Sequence, residues 1–250
     1  MIRVAFAALA LTAMVTTVAA QPVSAQEVAA VRPDAVIRPG QTKILVMRPQ
    51  IKVGSMSTGG LFEPNAEWTD TARKLIGDQV RAQLGGMGVS ITVPPEPGGE
   101  GDAITNQYRA LFPVVANAVM EFQFFVGNRL PTKKRPGVFD YTLGKGIAAM
   151  PGAADADYAL FLFTEDAYGS AGRKAAQLLM AGLFGVAIAP GIHTGYAGLV
   201  DLKTGDLVWL NADPQMGGDV RDAEGVVKRV GQLLANFPGS APAAATATAK

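Results

Sequence analysis

Apolar and polar positions follow two different periods along the chain, and together they predict both strands and helices. Short apolar runs that are rich in β-branched residues are typical of buried strands. Such runs lie at residues 43–47, 89–93, 158–163, 196–202 and 207–211. Helical spacing of apolar residues recurs over residues 65–84, 103–112, 115–125, 171–183 and 222–237. Pro113 is expected to end the second helix, because proline removes a backbone donor. Strands that alternate with helices predict an α/β fold.

A tight turn is predicted between the last two strands. Lys203-Thr204-Gly205-Asp206 separates two apolar runs, which is a hairpin signal. The hairpin makes the sheet mixed, because parallel strands need longer crossovers. We therefore expect a mixed sheet with helices packed on it, and a carboxyl-terminal β-hairpin followed by an amphipathic helix.

The amino terminus has the features of a secretory signal peptide. Arg3 precedes an uncharged apolar run at residues 4–18, which is too short to span a bilayer, and Val23-Ser24-Ala25 is a small-x-small cleavage site. We expect export with cleavage after Ala25; cleavage at the earlier small-x-small site, after Ala20, and an uncleaved anchor are the alternatives. The predicted organisation is a signal peptide (1–25), an extended leader (26–42), one α/β domain (43–237) with a divergent middle region (94–154), and a disordered tail (238–250).

Composition excludes several functional classes. The 250 residues carry 22 Lys+Arg, 21 Asp+Glu, one His and no Cys, and this near-neutral balance excludes a dedicated nucleic-acid binder. Without Cys there is no disulfide, thiol nucleophile or lipidated cysteine, and a single His excludes multi-histidine metal sites. A carboxylate-only site for Mg²⁺ or Ca²⁺ stays open, but no cofactor is expected. The absence of Asn-x-Ser/Thr sequons favours a bacterial periplasm.

Two acids and the only histidine are the candidates for chemistry. Glu165 and Asp166 come just after a predicted strand, and His193 lies in a predicted glycine-bounded loop. Ligands of open α/β sheets gather beyond the carboxyl ends of strands, so these residues are an alternative ligand or hydrolase site. Adjacent strand residues point to opposite faces, however, and no serine occupies a G-x-S-x-G elbow. Solvated strand-end acids and a structural or exposed histidine are the favoured interpretation.

Residues 175–200 carry no formal charge when His193 is neutral. Pro190 and Gly191 interrupt the segment, so a transmembrane helix is not expected. One interpretation is a buried helix that leads into a strand. The other is a partly exposed apolar surface for self-association, for contact with another envelope protein or for a peripheral contact with the outer membrane. The candidate contact residues are Leu178, Leu179, Leu183 and Phe184.

The second half of the chain resembles a group of bacterial envelope domains. Ala156-Asp157-Tyr158 before an apolar strand, the hairpin over residues 198–209 with Asp201, Thr204-Gly205 and Trp209, and the closing Asn236-Phe237-Pro238 are similar to elements of that group. It comprises the periplasmic domain of the curli secretion channel, the lipoprotein activators of penicillin-binding proteins, the amino-terminal domain of the Tol-system propeller protein, and related uncharacterised lipoproteins. Most members are anchored through a lipidated cysteine, which this chain lacks.

The resemblance implies an α/β periplasmic domain that contacts other envelope components and carries no catalytic residues. With the sequence features, it leads to the expectation of an exported, non-enzymatic accessory or assembly factor that acts through protein–protein contacts. An exported hydrolase or small-ligand binder that uses Glu165, Asp166 and His193 is the alternative. A channel-like oligomer is a third interpretation, but residues 185–189 lack the alternation of membrane strands.

Overall fold

Eight strands form one mixed sheet in the computed structural model, which describes residues 28–94, 102–124, 139–185 and 191–239. The strands are β1 (Val28–Val31), β2 (Lys43–Val46), β3 (Gln50–Met56), β4 (Phe62–Pro64), β5 (Ser90–Thr92), β6 (Tyr158–Gly169), β7 (Gly191–Asp201) and β8 (Leu207–Asp213). Their order is β1-β8-β7-β6-β2-β5, and β3 also pairs with β6 and with β4. β2 is parallel to β5 and β6, β3 is parallel to β6, and the other pairs are antiparallel.

Four α-helices occur in the described ranges. They are α1 (Ala66–Gly86), α2 (Asp102–Val119), α3 (Ala171–Phe184) and α4 (Ala223–Leu233). A π-helical turn (Met120–Phe124) extends α2, and two 3₁₀ turns cover Lys145–Ala149 and Ala153–Asp155. No described helix combines the length and the apolar character that a membrane span requires. The predicted signal peptide (1–25), most of the predicted tail (238–250) and the side chain of Phe184 lie outside what the structure describes.

The sheet has a core on each face. Alternate residues of a strand point to opposite faces, so Ile44 of β2 packs with α1 and α4, whereas Leu45 packs with α2. Trp209 lies in the first core against Phe237, with ring centroids 5.2 Å apart. The structure thus confirms the predicted α/β class, with a mixed sheet and helices packed on it.

The carboxyl-terminal hairpin and the helix after it are also confirmed. β7 and β8 pair antiparallel around a turn in which Asp201 Oδ1 accepts hydrogen bonds from the backbone N–H groups of Lys203, at 2.7 Å, and Thr204, at 2.9 Å. Gly205 has a φ of +78°, which only glycine adopts readily. α4 then buries one face against the sheet, as its apolar spacing predicts.

Three strands, β1, β3 and β4, lie where the sequence predicted none. β1 lies in the predicted extended leader and pairs antiparallel with β8. After Pro49 interrupts the pairing of β2, β3 continues parallel to the second half of β6, and β4 pairs antiparallel with β3. Position 54 of β3 requires a glycine, because a Cβ there would lie 2.2 Å from the backbone oxygen of Glu63.

The prediction that Pro113 ends a helix is wrong. α2 runs through Pro113, whose missing N–H leaves the carbonyl of Arg109, four residues earlier, without its helical donor. The side-chain amide of Gln50 supplies the replacement, with its Nε2 2.6 Å from that carbonyl oxygen. The start of β3 therefore satisfies the backbone group that proline leaves free, and the helix continues.

Candidate functional site

The acids predicted at a strand end lie inside β6. β6 continues to Gly169 because β3 and β7 pair with its two edges, which place Lys52 and Thr194 opposite Glu165. Asp166 is completely buried, so the expectation of a solvated acid is wrong for this residue. Glu165 points to the opposite face, where its Oε2 lies 3.6 Å from the Nζ of Lys52.

His193 is part of β7 and not of a loop before it, which corrects the second expectation. It lies opposite Asp166 in the β6–β7 register, and its Nδ1 is 2.8 Å from Oδ1 of that carboxylate. The structure therefore brings Asp166 and His193 together and leaves Glu165 on the other side of the sheet.

Arg229 of α4 is the main partner of Asp166. Both side chains are completely buried, and they form a bidentate ion pair with N–O distances of 2.7 and 2.8 Å. The remaining donors of the guanidinium reach the hydroxyl of Thr164, at 2.7 Å, and the carbonyls of Gly217, at 2.9 Å, and Gly218, at 3.1 Å. All five N–H groups of this arginine are thus used, which is the condition under which a buried charge is tolerated.

Sequence reasoning missed Arg229, although the sequence carries a signal for it. Val226, Val230 and Leu233 form the apolar face of α4, and Arg229 falls on the same face. A charged residue on a buried helical stripe needs a partner of opposite charge. The signal does not identify that partner, because Asp166 lies in a different element far away along the chain.

A small cavity lies beside the His193 ring. Its volume is about 390 Å³, and its lining includes Ser55, Trp68, Ser170, His193 and Arg221. A nucleophilic site would need a hydroxyl that His193 can activate. Both serines have other partners: Ser55 Oγ donates to Glu63 at 3.1 Å, and Ser170 Oγ accepts from the first turn of α3 at 3.2 Å.

Arg221 stacks between aromatic rings in this cavity. Its guanidinium carbon lies 3.8 Å from the ring centre of Tyr168 and 4.7 Å from that of Trp68, within the range of cation–π interactions. Its Nε donates to Asp219 at 2.8 Å, and this bond holds the pKa of the Asp219 carboxyl well below its usual value. Burial raises the pKa of the Tyr168 hydroxyl, which donates to the same carboxylate. Arg221 is therefore already neutralised by Asp219, and Lys174 is a second basic residue of the lining.

The predicted contact residues lie on α3, which connects β6 to β7. Ser170 caps its first turn, and Gly185 ends it with a φ of +65°. Leu178, Leu179 and Leu183 are 78%, 60% and 66% exposed. The uncharged segment therefore divides into two parts: the described part of the helix has its leucines exposed, whereas β7 is buried from Tyr196 to Val200.

The orientation of α3 is the reverse of an ordinary surface helix. Among its described side chains the buried one is Arg173, whose Nη1 lies 3.4 Å from the carbonyl oxygen of Ser57, while the leucines face solvent. Surface helices normally turn their apolar stripe to the core and their charges to water. We call the outward side of this helix, defined by Leu178, Leu179 and Leu183, the α3 surface.

Comparisons with known proteins add little to this description. No protein-family model and no curated protein matches the chain. Among solved structures, the PelC dodecamer from Paraburkholderia phytofirmans is 12% identical, and the match covers 84% of this chain and 96% of that chain with a TM-score of 0.36. A variant of the same dodecamer is 10% identical over the same shares, also with a TM-score of 0.36. At this TM-score the likeness does not bear on function.

Proposed function

We propose that the chain is an exported, non-enzymatic accessory or assembly factor of the cell envelope that acts through protein–protein contacts at the α3 surface. The observation that carries this proposal is the exposure of three leucines on one side of α3. Burial of one leucine side chain stabilises a protein by about 1.5–3 kcal/mol. Grouped exposed leucines therefore favour a partner that covers them.

The composition of α3 favours a protein partner over a lipid surface. Helices that lie in a membrane interface usually carry several Lys or Arg residues along their polar side. In α3 the basic residues are Arg173 and Lys174, both near its beginning, and Arg173 is buried. An apolar groove of an envelope protein fits such a helix better, in the way that amphipathic helices dock into grooves.

The state of Asp166 supports a non-catalytic role. Arg229, Thr164 and His193 occupy hydrogen-bonding positions of its two oxygens, and the carboxylate is completely buried. A general base must reach the proton that it removes from a substrate. Asp166 instead connects α4 and β7 to β6, so the hydrolase alternative has less support than the contact role.

The test is site-specific photo-crosslinking in intact cells. A photoreactive residue at position 178 or 183 is expected to yield a defined adduct with an envelope protein or with a second copy of the chain. Position 114 is the matched control, because Val114 of α2 is 64% exposed and lies on another element. Equal adduct patterns at all three positions, or none at positions 178 and 183, would overturn the proposal.

Light scattering after size exclusion identifies the partner class. The chain from a periplasmic extract is run without detergent, beside the Leu183→Asp and Val114→Asp variants. An oligomer that only Leu183→Asp dissociates makes a second copy the partner, and a monomer directs the search to another envelope protein. Recovery only with detergent would contradict the protein-contact proposal in favour of a lipid surface.

A further inference from the structure

A cleft of about 530 Å³ opens between α1 and α2, on the side of the sheet where parallel strands end. β2 ends at Val46 and β5 at Thr92, and the residues that follow both strands line the cleft. In α/β sheets, ligands gather beyond the carboxyl ends of such strands. The volume lies within the range of small-molecule sites. This cleft is separate from the α3 surface and from the His193 cavity.

Positive charge dominates the cleft. Among the residues that the structure describes, five basic side chains line it, from Arg48, Arg73, Lys74, Arg81 and Arg109, against two acidic ones. Each acidic side chain pairs with an arginine of its own helical turn: Asp70 lies 2.5 Å from Arg73, and Asp78 lies 2.5 Å from Arg81. In this described lining the cations therefore outnumber the anions by three. An excess of this size attracts multiply charged anions.

Arg109 is the cation with the strongest need for a ligand. It is half-buried, and in the described part of the chain its buried Nε has no hydrogen-bond partner. A buried polar group without a partner costs free energy. Burial, and after it the nearby charges of Arg48 and Arg73, lower the pKa of the Arg109 guanidinium.

The backbone of Arg109 is held in place independently of any ligand. Its carbonyl accepts the 2.6 Å hydrogen bond from Gln50 that replaces the donor missing at Pro113. The backbone that carries the cation is thus fixed before a ligand arrives, which reduces the entropy that binding must offset.

We propose that this cleft binds a phosphate monoester, with Arg109 as the anchoring cation and Lys74 and the other basic side chains of the lining around it. A phosphate monoester carries between one and two negative charges and several strong acceptor oxygens, which suit several guanidinium groups. A single carboxylate would neutralise fewer of them. Met47, Pro49 and Pro151 form apolar walls that the organic part of the ester would contact. The ester is either a soluble molecule or the headgroup of a lipid.

The experiment is calorimetric titration of the full chain at low salt with phenyl phosphate and with benzoate. Saturable binding of phenyl phosphate is expected, and benzoate should bind at least about tenfold more weakly. Arg109→Gln should lower the affinity for phenyl phosphate roughly tenfold or more. Arg38→Gln is the matched control, because Arg38 is exposed and lies outside the cleft. Its affinity should equal that of the wild type.

Three outcomes would overturn the proposal: no saturable binding, benzoate as strong as phenyl phosphate, or Arg109→Gln as strong as the wild type. Lys74→Gln, on the exposed side of α1, provides a second variant if Arg109→Gln does not fold. The affinity of Lys74→Gln for phenyl phosphate should fall below that of the wild type, but by less than the affinity of Arg109→Gln. Phosphatidylcholine vesicles with and without phosphatidic acid distinguish the sources: vesicle binding that needs phosphatidic acid and Arg109 assigns a lipid headgroup, and binding of phenyl phosphate alone assigns a soluble ester.

Discussion

The ion pair between Arg229 and Asp166 gives the sharpest prediction about stability. Arg229→Met keeps most of the side-chain volume but removes every donor of the guanidinium. The Asp166 carboxylate then stays completely buried without its main counter-charge, and the carbonyls of Gly217 and Gly218 lose their donors. Removal of one partner of a buried pair costs about 3–5 kcal/mol. Since whole domains are stable by about 5–15 kcal/mol, we expect a large fall in the free energy of unfolding.

Urea unfolding followed by tryptophan fluorescence and circular dichroism measures this change. Arg81→Met is the matched control, because Arg81 forms an ion pair with Asp78 while its side chain is 46% exposed. Exposed pairs contribute only about 0–1 kcal/mol. Arg229→Lys should lie between these two, because lysine keeps the charge but loses the five-donor fork.

A double-mutant cycle tests the cause. In Arg229→Met with Asp166→Leu no unpaired carboxylate remains, so the double variant should be more stable than the sum of the single changes predicts, by about 0.5–3 kcal/mol. If Arg229→Met destabilised the chain no more than Arg81→Met, the buried pair would not hold α4 to β6. Strict additivity would likewise refute the reasoning.

Three further predictions follow from other contacts. Arg221 lowers the folded-state pKa of Asp219, so this carboxylate stabilises the fold fully above pH ~5 and loses that effect as the pH falls below ~4. Asp219→Asn should therefore lower the urea midpoint at neutral pH, and its difference from the wild type should shrink on acidification. A difference that grows on acidification would contradict this. Gly205→Ala should lower the melting temperature, because the φ of Gly205 is +78° and a Cβ there would lie 2.3 Å from the backbone of Gly144. An unchanged melting temperature would be inconsistent with this turn. Gln50→Leu should cost about 1–3 kcal/mol in urea unfolding by leaving the Arg109 carbonyl unpaired; a neutral effect would show that this bond does not stabilise α2.

The elements that the sequence predicts well are those with local signals. The β7–β8 hairpin has its turn residues in place, and α4 has an apolar face and a capping Asp222, so both could be identified without knowledge of the rest. β1 and β3 could not, because each becomes a strand by pairing with a distant segment. Val28–Val31 pairs with β8, near the other end of the chain.

The candidate site was predictable in part. That Glu165 and Asp166 point to opposite faces follows from strand geometry alone, and so does their poor suitability as an acid–base pair. The burial of Asp166 depends on β3, which extends the sheet beside it, and on Arg229, which neutralises it. Neither interaction is local, so the sequence pattern around Asp166 resembles that of an ordinary exposed acid.

The position of Arg229 on α4 also makes the folding of β6 depend on a segment near the carboxyl end of the chain. Until α4 docks, the Asp166 carboxylate has no arginine with which to enter the core. We therefore expect β6 and β7 to reach their final form around this acid only once α4 has docked, and α3 lies between these two strands in the chain. Shortened chains that stop before residue 229 should lose the β6–β7 region first. The leucines of α3 are therefore expected to reach their final position only in a chain that contains α4.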